Sequence, residues 1–427
     1  MKVMKWSVIA MAVAAGTSQL AFASAQSESK GFVDDASLDL LLRNAYFHRD
    51  RKDGAEDLSR WGQGFIATFE SGFTRGLVGV GVDAYGLLGV RLDKGESNGD
   101  GGISFFDVDS DGEPYKDISK AGAAIKLRVS DTVLKYGDQM PSMPVLSHDT
   151  TRLLPQTFTG TLLTSREINN LELNVGHFTS VSHNNRAGRD VGAAGAYGGA
   201  LNSIDVIGGS YSFNDNLSVA LYYSDVEDVF EKKYANVNYA IPLSEEQSLA
   251  FDFNFYRTDY ENDNIASDAF FGDGNLGDQN TIWSLAATYS VGAHAFIVAH
   301  QRSSGDVGYA YDLGDGGNAI YLANSFRSDF NYKNENSWQA SYELDFSEFG
   351  APGLFWKTAY VRGDNVDAGN GNDNGTEREI FNQVSYVFQS GPAKDLSLKL
   401  RNSILRSNFQ PDENEIRAFI EYPLSIL

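Results

Sequence analysis

The sequence of 427 residues contains no cysteine and only nine prolines. Without thiols there are no disulfides, no thiolate metal sites and no cysteine-based catalysis, and the absence is compatible with an oxidising compartment. Forty-three glycines, 12% aromatic residues and a mean hydropathy of −0.30 are typical of an all-β protein. That class includes soluble proteins and transmembrane barrels, whose lumen is polar.

Long apolar runs are also missing. Beyond the first 25 residues, no stretch approaches the roughly 18 apolar residues that a membrane-spanning helix requires, so helical insertion is excluded. The start of the chain differs: Lys2 and Lys5 precede an apolar stretch at 8–15 and small residues at 21–25. This pattern predicts a signal peptide over 1–25, cleaved after Ala25, and a mature chain of 26–427. The alternative is a cytosolic protein whose first helix is buried.

Basic residues are scarce, with 34 Lys and Arg against 57 Asp and Glu, which gives a net charge of −23. Loss of Lys2 and Lys5 with the signal peptide changes this charge to −25. A chain this acidic repels polyanions, so we expect no nucleic-acid partner.

Apolar and polar side chains alternate with a period of two along most of the chain. Such alternation gives a strand one apolar and one polar face. Clear examples are the stretches 217–223, 249–256, 283–289, 338–346 and 396–400. Segments of about ten residues, aromatic residues at the ends of apolar faces and continuity from Ser37 to Tyr422 favour a transmembrane β-barrel. A secreted β-sandwich, such as an adhesin, also alternates and is the alternative.

The connectors between these segments differ in length. Short ones lie at 213–216, 243–247 and 350–353, and long ones rich in Gly, Asn and Asp lie at 94–119, 138–161, 258–280, 303–336 and 362–378. Outer-membrane barrels combine short periplasmic turns with long outer loops. At about 20 to 24 residues per strand and connector, the mature chain predicts an antiparallel up-and-down barrel of roughly 16 to 18 strands around an aqueous passage.

Several polar faces carry cations despite the acidic total. Lys126 and Arg128 alternate with apolar neighbours, as do Lys399 and Arg401, and Arg43 lies opposite a leucine face. The other candidates are Lys357 and Arg417. A basic row along one wall of a pore lowers the barrier for a carboxylate. The alternative for each residue is a solvated basic side chain. Acidic residues are expected in the lumen too, namely Asp39, Asp83, Asp252, Glu343 and Asp345.

The segment 141–160 is too long for a turn and too apolar for a free loop. Long ordered loops are often functional, so this segment is expected to fold inward and narrow the passage. His148, Asp149 and Arg152 would then line a constriction that selects by size and charge. The alternative is an outer loop packed on its neighbours.

Signals for enzymatic chemistry are weak. Zinc-protease, nucleophile-elbow and Walker motifs are absent from the sequence. Ser147, His148 and Asp149 are the nearest candidates for an outer-membrane hydrolase, but sequence neighbours seldom form a triad. The stretch 107–112 begins like a calcium loop, yet Ile118 occupies the position where a bidentate Glu is needed. We therefore expect no enzyme, no cofactor and no metal.

Long stretches of the chain resemble the OprD-type substrate-specific porins of Pseudomonas and relatives. The most specific likenesses are Gly31-Phe32 with 37–44, the run Arg152-Leu153-Leu154-Pro155-Gln156-Thr157, and the stretches 389–397 and 422–427. The resemblance implies an 18-stranded barrel, an inward third loop, and a ladder of Arg and Lys that guides a carboxylate past an acidic opposite side. The terminal Leu427 departs from the Phe common at the end of outer-membrane barrels.

The resemblance also suggests roles for individual residues. Ladder positions are matched by Arg43, Arg128, Lys399, Arg401 and Arg417, while Lys126 and Lys357 match less closely. Arg152 matches the constricting loop. One branch of the family prefers basic amino acids and another prefers cyclic or aromatic monocarboxylates; the stretch 177–190 departs from the first branch and favours the second.

Together these features predict a passive channel of the bacterial outer membrane for small carboxylate-bearing solutes. Its partners would be the solute, outer-membrane lipid and lipopolysaccharide, and it would act as a monomer or a weak homotrimer. A channel for basic amino acids and small peptides, and an outer-membrane hydrolase, are the alternatives.

Overall fold

The computed structural model describes residues 24–52, 54–93, 103–189, 201–261, 265, 271, 277–369 and 373–427. The predicted signal peptide therefore lies almost entirely outside the described residues. Within them, no helix is long and apolar enough to cross a membrane.

Strands dominate the described part of the chain. In chain order they are β1 Ser37–Arg51, β2 Leu58–Glu70, β3 Gly79–Arg91, β4 Asp117–Val129, β5 Thr132–Gln139, β6 Ser142–Met143, β7 Leu146–Ser147, β8 Thr157–Ser165, β9 Leu171–Ser182, β10 Ile204–Asn214, β11 Leu217–Val226, β12 Phe230–Pro242, β13 Gln247–Tyr260, β14 Gln279–Val291, β15 His294–Gly305, β16 Asn336–Asp345, β17 Leu354–Val366, β18 Gly375–Val387, β19 Ser397–Ser407 and β20 Glu413–Ser425. A 3₁₀ turn at Phe346–Phe349 precedes β17.

Eighteen of these strands form one antiparallel sheet, and β6 and β7 form a separate small hairpin. Each barrel strand pairs with its neighbours in sequence, and the sheet closes because β1 pairs with both β2 and β20. Arg43 of β1, for example, is opposite Gly64 on one side and Glu421 on the other. The predicted all-β up-and-down barrel of about 18 strands is confirmed.

The apolar faces of the strands point outward. Trp338 is 58% exposed, whereas its neighbours Ser337 and Gln339 are 0% and 5% exposed. A soluble protein would bury the tryptophan, so this inverted pattern is that of a barrel surrounded by lipid. Exposed aromatic residues form a rim near each end of the wall: Trp61, Trp338 and Tyr360 at one end, and Tyr239, Tyr289 and Phe296 at the other. Such rims mark the two membrane interfaces.

The two ends of the barrel differ in their connectors. The turn end carries 71–78, 130–131, 166–170, 215–216, 243–246, 292–293, 346–353 and 388–396. The connectors whose flanking strands end and begin at the loop end are 52–57, 92–116, 140–156, 183–203, 227–229, 261–278, 306–335, 367–374 and 408–412. All five long connectors predicted from the sequence lie at the loop end. A further long connector, 183–203, joins β9 to β10 at the same end.

Parts of the loops pack into the barrel. Phe105 and Phe106 from one loop and Leu153 and Leu154 from another are fully buried against the inward-facing Phe47. Burial of one such side chain contributes about 1.5–3 kcal/mol. The lumen is therefore narrowed by an apolar core made from loops.

Candidate functional site

The connector 140–156, here the constriction loop, crosses the lumen between distant walls. Tyr256 on β13 donates a hydrogen bond from its hydroxyl to the carbonyl of Pro144, at 3.1 Å. On β1, a guanidinium nitrogen of Arg43 donates to the carbonyl of Thr150, also at 3.1 Å. Strands β1 and β13 are not neighbours in the sheet, so the loop spans the interior.

Close packing explains the glycines beneath this loop. A Cβ atom at Gly62 would lie 2.6 Å from Leu153 Cδ2, and one at Gly89 would lie 3.2 Å from the same atom. Gly64 also has the carbonyl of Leu153 above it. Because glycine offers no side chain, the loop approaches the β2–β3 wall closely and is anchored there.

The connector 306–335, here the facing loop, holds the constriction loop from the other side. A side-chain nitrogen of Gln156 donates to Asp312 at 3.1 Å, and Asn318 donates to the carbonyl of His148 at 3.0 Å. The facing loop is tied to the wall by an ion pair of Lys232 and Asp315, both fully buried. Breaking such a pair is costly, so the facing loop has a fixed position.

A polar cavity of about 380 Å³ lies between the two loops. Its lining includes Ser147, His148 and Thr150 from the constriction loop, and Asn318, Tyr321 and Ser325 from the facing loop. Arg43 binds the carbonyl of Thr150, so the cavity adjoins the wall that carries Arg43.

Two titratable groups near this cavity have shifted pKa values. Burial raises the pKa of Asp312 to about 7, and the nearby charges of Asp149 and Asp315 act in the same direction. Burial lowers the pKa of His148, against the effect of its contact with the carbonyl of Pro141. At neutral pH the Asp312 carboxyl therefore carries only part of a negative charge.

A column of inward-facing basic residues runs along three adjacent strands, and we call it the basic ladder. Its members are Lys399 and Arg401 on β19, Arg417 on β20, and Arg43 and Arg49 on β1. Arg401 and Arg417 are directly opposite each other in the strand register. Four of these five residues were expected from the sequence; Arg49 was not.

Glutamates of β20 neutralise part of the ladder. The Nε atom of Arg43 is 2.7 Å from Glu421, and Lys399 is 3.8 Å from the same carboxylate. Glu415 lies 2.5 Å from Arg417 and 2.6 Å from Arg49.

Arg401 differs from the other ladder members. Its Nε donates to the side-chain oxygen of Gln383 at 2.7 Å. Within the described residues, no carboxylate lies at ion-pair distance from it. Among the described residues, the guanidinium of Arg401 therefore has no carboxylate at contact distance.

Arg327 extends the column toward the loop end. It belongs to the facing loop, donates to Glu413 and lies 3.8 Å from Glu415. Because apolar and polar residues do not alternate in a loop, the inward position of Arg327 could not be predicted from the sequence. Its contacts join the facing loop to the ladder wall.

The other predicted cations lie elsewhere. Lys126 on β4 is 2.5 Å from Asp83, which also binds Lys135 at 2.5 Å. Arg128, at the turn end of β4, stacks 4.1 Å above the Phe73 ring and donates to Gln26 at 2.9 Å. On β17, Lys357 lies 3.1 Å from Glu343. These three residues face inward, but none lies on the strands of the ladder.

The predicted loop residues have distinct roles. His148 lines the cavity. Asp149 is buried and accepts hydrogen bonds from the backbone nitrogen of Thr151 at 2.6 Å and from Asn184 at 2.9 Å. Arg152 contributes its carbonyl, which accepts from Arg43 at 2.9 Å. Asp149 thus fixes the shape of the loop instead of lining the passage.

The same contacts argue against a catalytic triad. A triad needs a histidine that bridges the nucleophile and a carboxylate. The Nδ1 atom of His148 contacts the carbonyl of Pro141 at 2.6 Å, and the Asp149 carboxylate binds Thr151 and Asn184. Ser147, His148 and Asp149 therefore do not form a charge-relay chain.

The acidic stretch 107–112 forms an ordinary turn. One oxygen of Asp109 accepts from the backbone nitrogens of Asp111 at 2.9 Å and Glu113 at 3.0 Å, and Asp107 pairs with Arg186 at 2.9 Å. Within the part of the chain that the structure describes, no group of three or more His, Asp or Glu residues is arranged to hold a metal ion.

A closed barrel with a lipid-facing exterior, a polar constriction and a charged inner wall defines a transmembrane diffusion channel. The chain matches the model of the OprD family of outer membrane porins over residues 30–426. It belongs to that family. Its place is the bacterial outer membrane, and its relatives are channels, not enzymes.

Individual relatives are similar to this chain over at least 92% of its length. Porin D of Pseudomonas aeruginosa is 45% identical over 100% of both chains. The crystal structure of Acinetobacter baumannii OccAB1 is 39% identical, covers 95% of this chain and 100% of its own, and has a TM-score of 0.89. The structure of P. aeruginosa OpdK with vanillate is 33% identical over 92% of this chain and 100% of its own, with a TM-score of 0.82.

Proposed function

We propose that the channel passes small carboxylate-bearing solutes by passive diffusion along the basic ladder. The observation that carries this proposal is Arg401, which faces the lumen beside Arg417 and has no carboxylate partner among the described residues. An anionic group moving along the wall would meet positive charge there without first displacing an internal glutamate. Such shallow binding speeds passage, because a single tight site would trap the solute.

Cyclic or aromatic monocarboxylates are the favoured class within this proposal. OpdK is crystallised with vanillate, an aromatic carboxylate, and shares the fold of this chain. Polar loop residues and the ring of Tyr321 line the cavity, which adjoins the wall that carries Arg43. A ring could pack there while its carboxylate contacts the ladder. Because the Asp312 carboxyl has a pKa of about 7, it offers only partial negative charge to a cationic group.

Each chain closes its own barrel, so one copy supplies a whole passage. We therefore propose that a monomer is sufficient for transport, whether or not copies associate as a weak homotrimer. We also propose that residues 1–25 act as a cleavable export signal.

Single-channel recording of the purified protein in a planar bilayer tests the substrate class. Benzoate should shift the reversal potential toward its own equilibrium value and interrupt the chloride current, while a neutral sugar of similar size should do neither. Free arginine and lysine form the comparison arm. Stronger effects from these amino acids than from benzoate would overturn the monocarboxylate class, and currents insensitive to every carboxylate would overturn the proposal as a whole.

A further inference from the structure

Three arginines lie side by side on the outer surface of the barrel near the loop end. Arg362 on β17 is directly opposite Arg378 on β18, which is directly opposite Arg406 on β19. All three occupy outward-facing positions, and Arg362 and Arg378 are exposed. This group, here the arginine row, faces away from the lumen and has no part in the proposed transport.

Like charges in directly opposite positions destabilise a sheet. The neighbouring acidic residues relieve little of this repulsion. Arg406 is 3.5 Å from Asp412, but within the described residues Arg362 and Arg378 have no ion-pair partner. Glu377 and Glu379, beside Arg378 in sequence, are buried on the inward face. The row therefore has an unbalanced positive charge.

Another like-charge pair on the outer surface shows how the chain balances such repulsion elsewhere. Lys233 on β12 is directly opposite Arg257 on β13. There, Lys233 lies 3.1 Å from Asp259 and 3.5 Å from Glu231, and Arg257 lies 2.7 Å from Asp259. Asp364 shares the outward face with Arg362 two positions away, but it is not within ion-pair distance of Arg362 or Arg378, so in a chain with a net charge of −23 the row keeps two arginines without such pairs.

The arginine row lies at the height of a membrane interface. One step toward the turn end, the same outward faces carry Tyr360 and Ile380, each 42% exposed. The apolar belt thus ends immediately below the arginines. Arginine guanidinium groups at this height meet lipid headgroups and bind phosphate oxygens in pairs.

A recess of about 450 Å³ opens on the same outer surface beside Arg406. Its lining includes Ile404 and Ile416 on the turn-end side, and Arg406, Asn414 and the carboxylate of Asp50 on the loop-end side. Arg406 is fixed there by a hydrogen bond to the Asn414 side chain at 2.9 Å. Such a recess would accept the upper part of an acyl chain below a charged headgroup.

We propose that Arg362, Arg378 and Arg406 bind the phosphate of a lipid headgroup in the outer leaflet, with an acyl chain of that lipid in the adjacent recess. The occupant is a membrane lipid and not a free anion, because the arginine row adjoins a recess on the lipid-facing wall whose turn-end side is formed by two isoleucines. Bound lipid would offset the repulsion among the three arginines and stabilise β17–β19.

Lipid binding to a triple variant tests this site. Wild type and Arg362→Gln/Arg378→Gln/Arg406→Gln are purified from outer membranes, delipidated and titrated with lipopolysaccharide, and bound lipid is counted by native mass spectrometry. Each arginine contributes about 1 kcal/mol toward anionic lipid, so we expect the apparent affinity to fall on the order of a hundredfold. The matched control Lys233→Gln/Arg257→Gln should bind as wild type does. Equal binding by both variants would overturn the proposal.

Two further binding measurements on wild type identify the ligand. They also keep the site testable if the triple variant does not fold. Wild type should bind dephosphorylated lipopolysaccharide as weakly as the triple variant binds the intact lipid. Inorganic phosphate should neither displace the lipid nor raise the thermal stability of wild type, and a strong effect would mean a soluble-anion site instead. If the triple variant fails the heat-modifiability test for a folded barrel, the wild-type arms alone decide: equal binding of the phosphorylated and dephosphorylated lipids refutes the site.

Discussion

Replacement of Arg401 should reduce carboxylate flux more than replacement of any other ladder residue. The charges of Arg43, Arg49 and Arg417 are shared with glutamates, whereas Arg401 contacts the neutral side chain of Gln383. A unit charge 4 Å from a carboxylate contributes about 1 kcal/mol in bulk water and about 4 kcal/mol near a protein surface. The lumen is filled with water, so the value of about 1 kcal/mol sets the smallest effect expected on carboxylate flux.

The expected changes follow from that figure. Arg401→Gln should lower benzoate flux about fivefold, and Arg401→Glu about thirtyfold, because the reversed charge repels the solute as strongly as the native charge attracts it. Flux is measured in proteoliposomes of known protein content, with conductance in potassium chloride as the check on pore integrity. Arg302→Gln, an exposed outward arginine on β15, is the matched control and should change neither quantity. Benzoate flux within twofold of wild type in Arg401→Glu would remove this residue from the path.

Three other substitutions and one measurement on the wild-type protein give distinct expectations. Asp312, with a pKa of about 7, gains negative charge between pH 6 and pH 8, so benzoate flux should fall across that range; Asp312→Asn should abolish the dependence, and an unchanged profile would exclude this residue. Leu153→Ala removes an anchor worth about 2–5 kcal/mol, so conductance should rise and become noisier, and a wild-type trace would contradict the packing. Lys232→Met leaves the Asp315 carboxylate buried without its partner, which should cost about 3–5 kcal/mol and lower the thermal stability; unchanged stability would contradict the buried pair. Mass spectrometry of the mature protein should show Gln26 as its N-terminal residue; a mature chain that still contains Lys5 would refute the export signal.

Period-two alternation predicted the barrel because lipid outside and water inside impose opposite requirements on alternate side chains. The signal is strong where the outer face is fully apolar, as at Leu398 and Leu400, which frame Lys399. It weakens near the loop end of β1, where the outward positions are His48 and Asp50. There both faces are polar, so Arg49 could not be assigned to the lumen from sequence.

The partners of the predicted cations depend on strand register and loop folding, which no local pattern encodes. Asp83 meets both Lys126 and Lys135 because three adjacent strands bring them to one level. Arg327 and Asp312 enter the lumen from a long loop, and their positions depend on tertiary packing. Sequence alone therefore identified charged strands but not the balance of charge along the wall.

A crystal structure with 4-bromobenzoate tests the central claim most directly, because bromine is located by its anomalous scattering. We expect a bromine peak in the cavity between the two loops and carboxylate density within hydrogen-bond distance of Arg401 or Arg417. A bound molecule whose carboxylate faces any other wall, in a protein that still selects benzoate over a neutral sugar, would contradict the account.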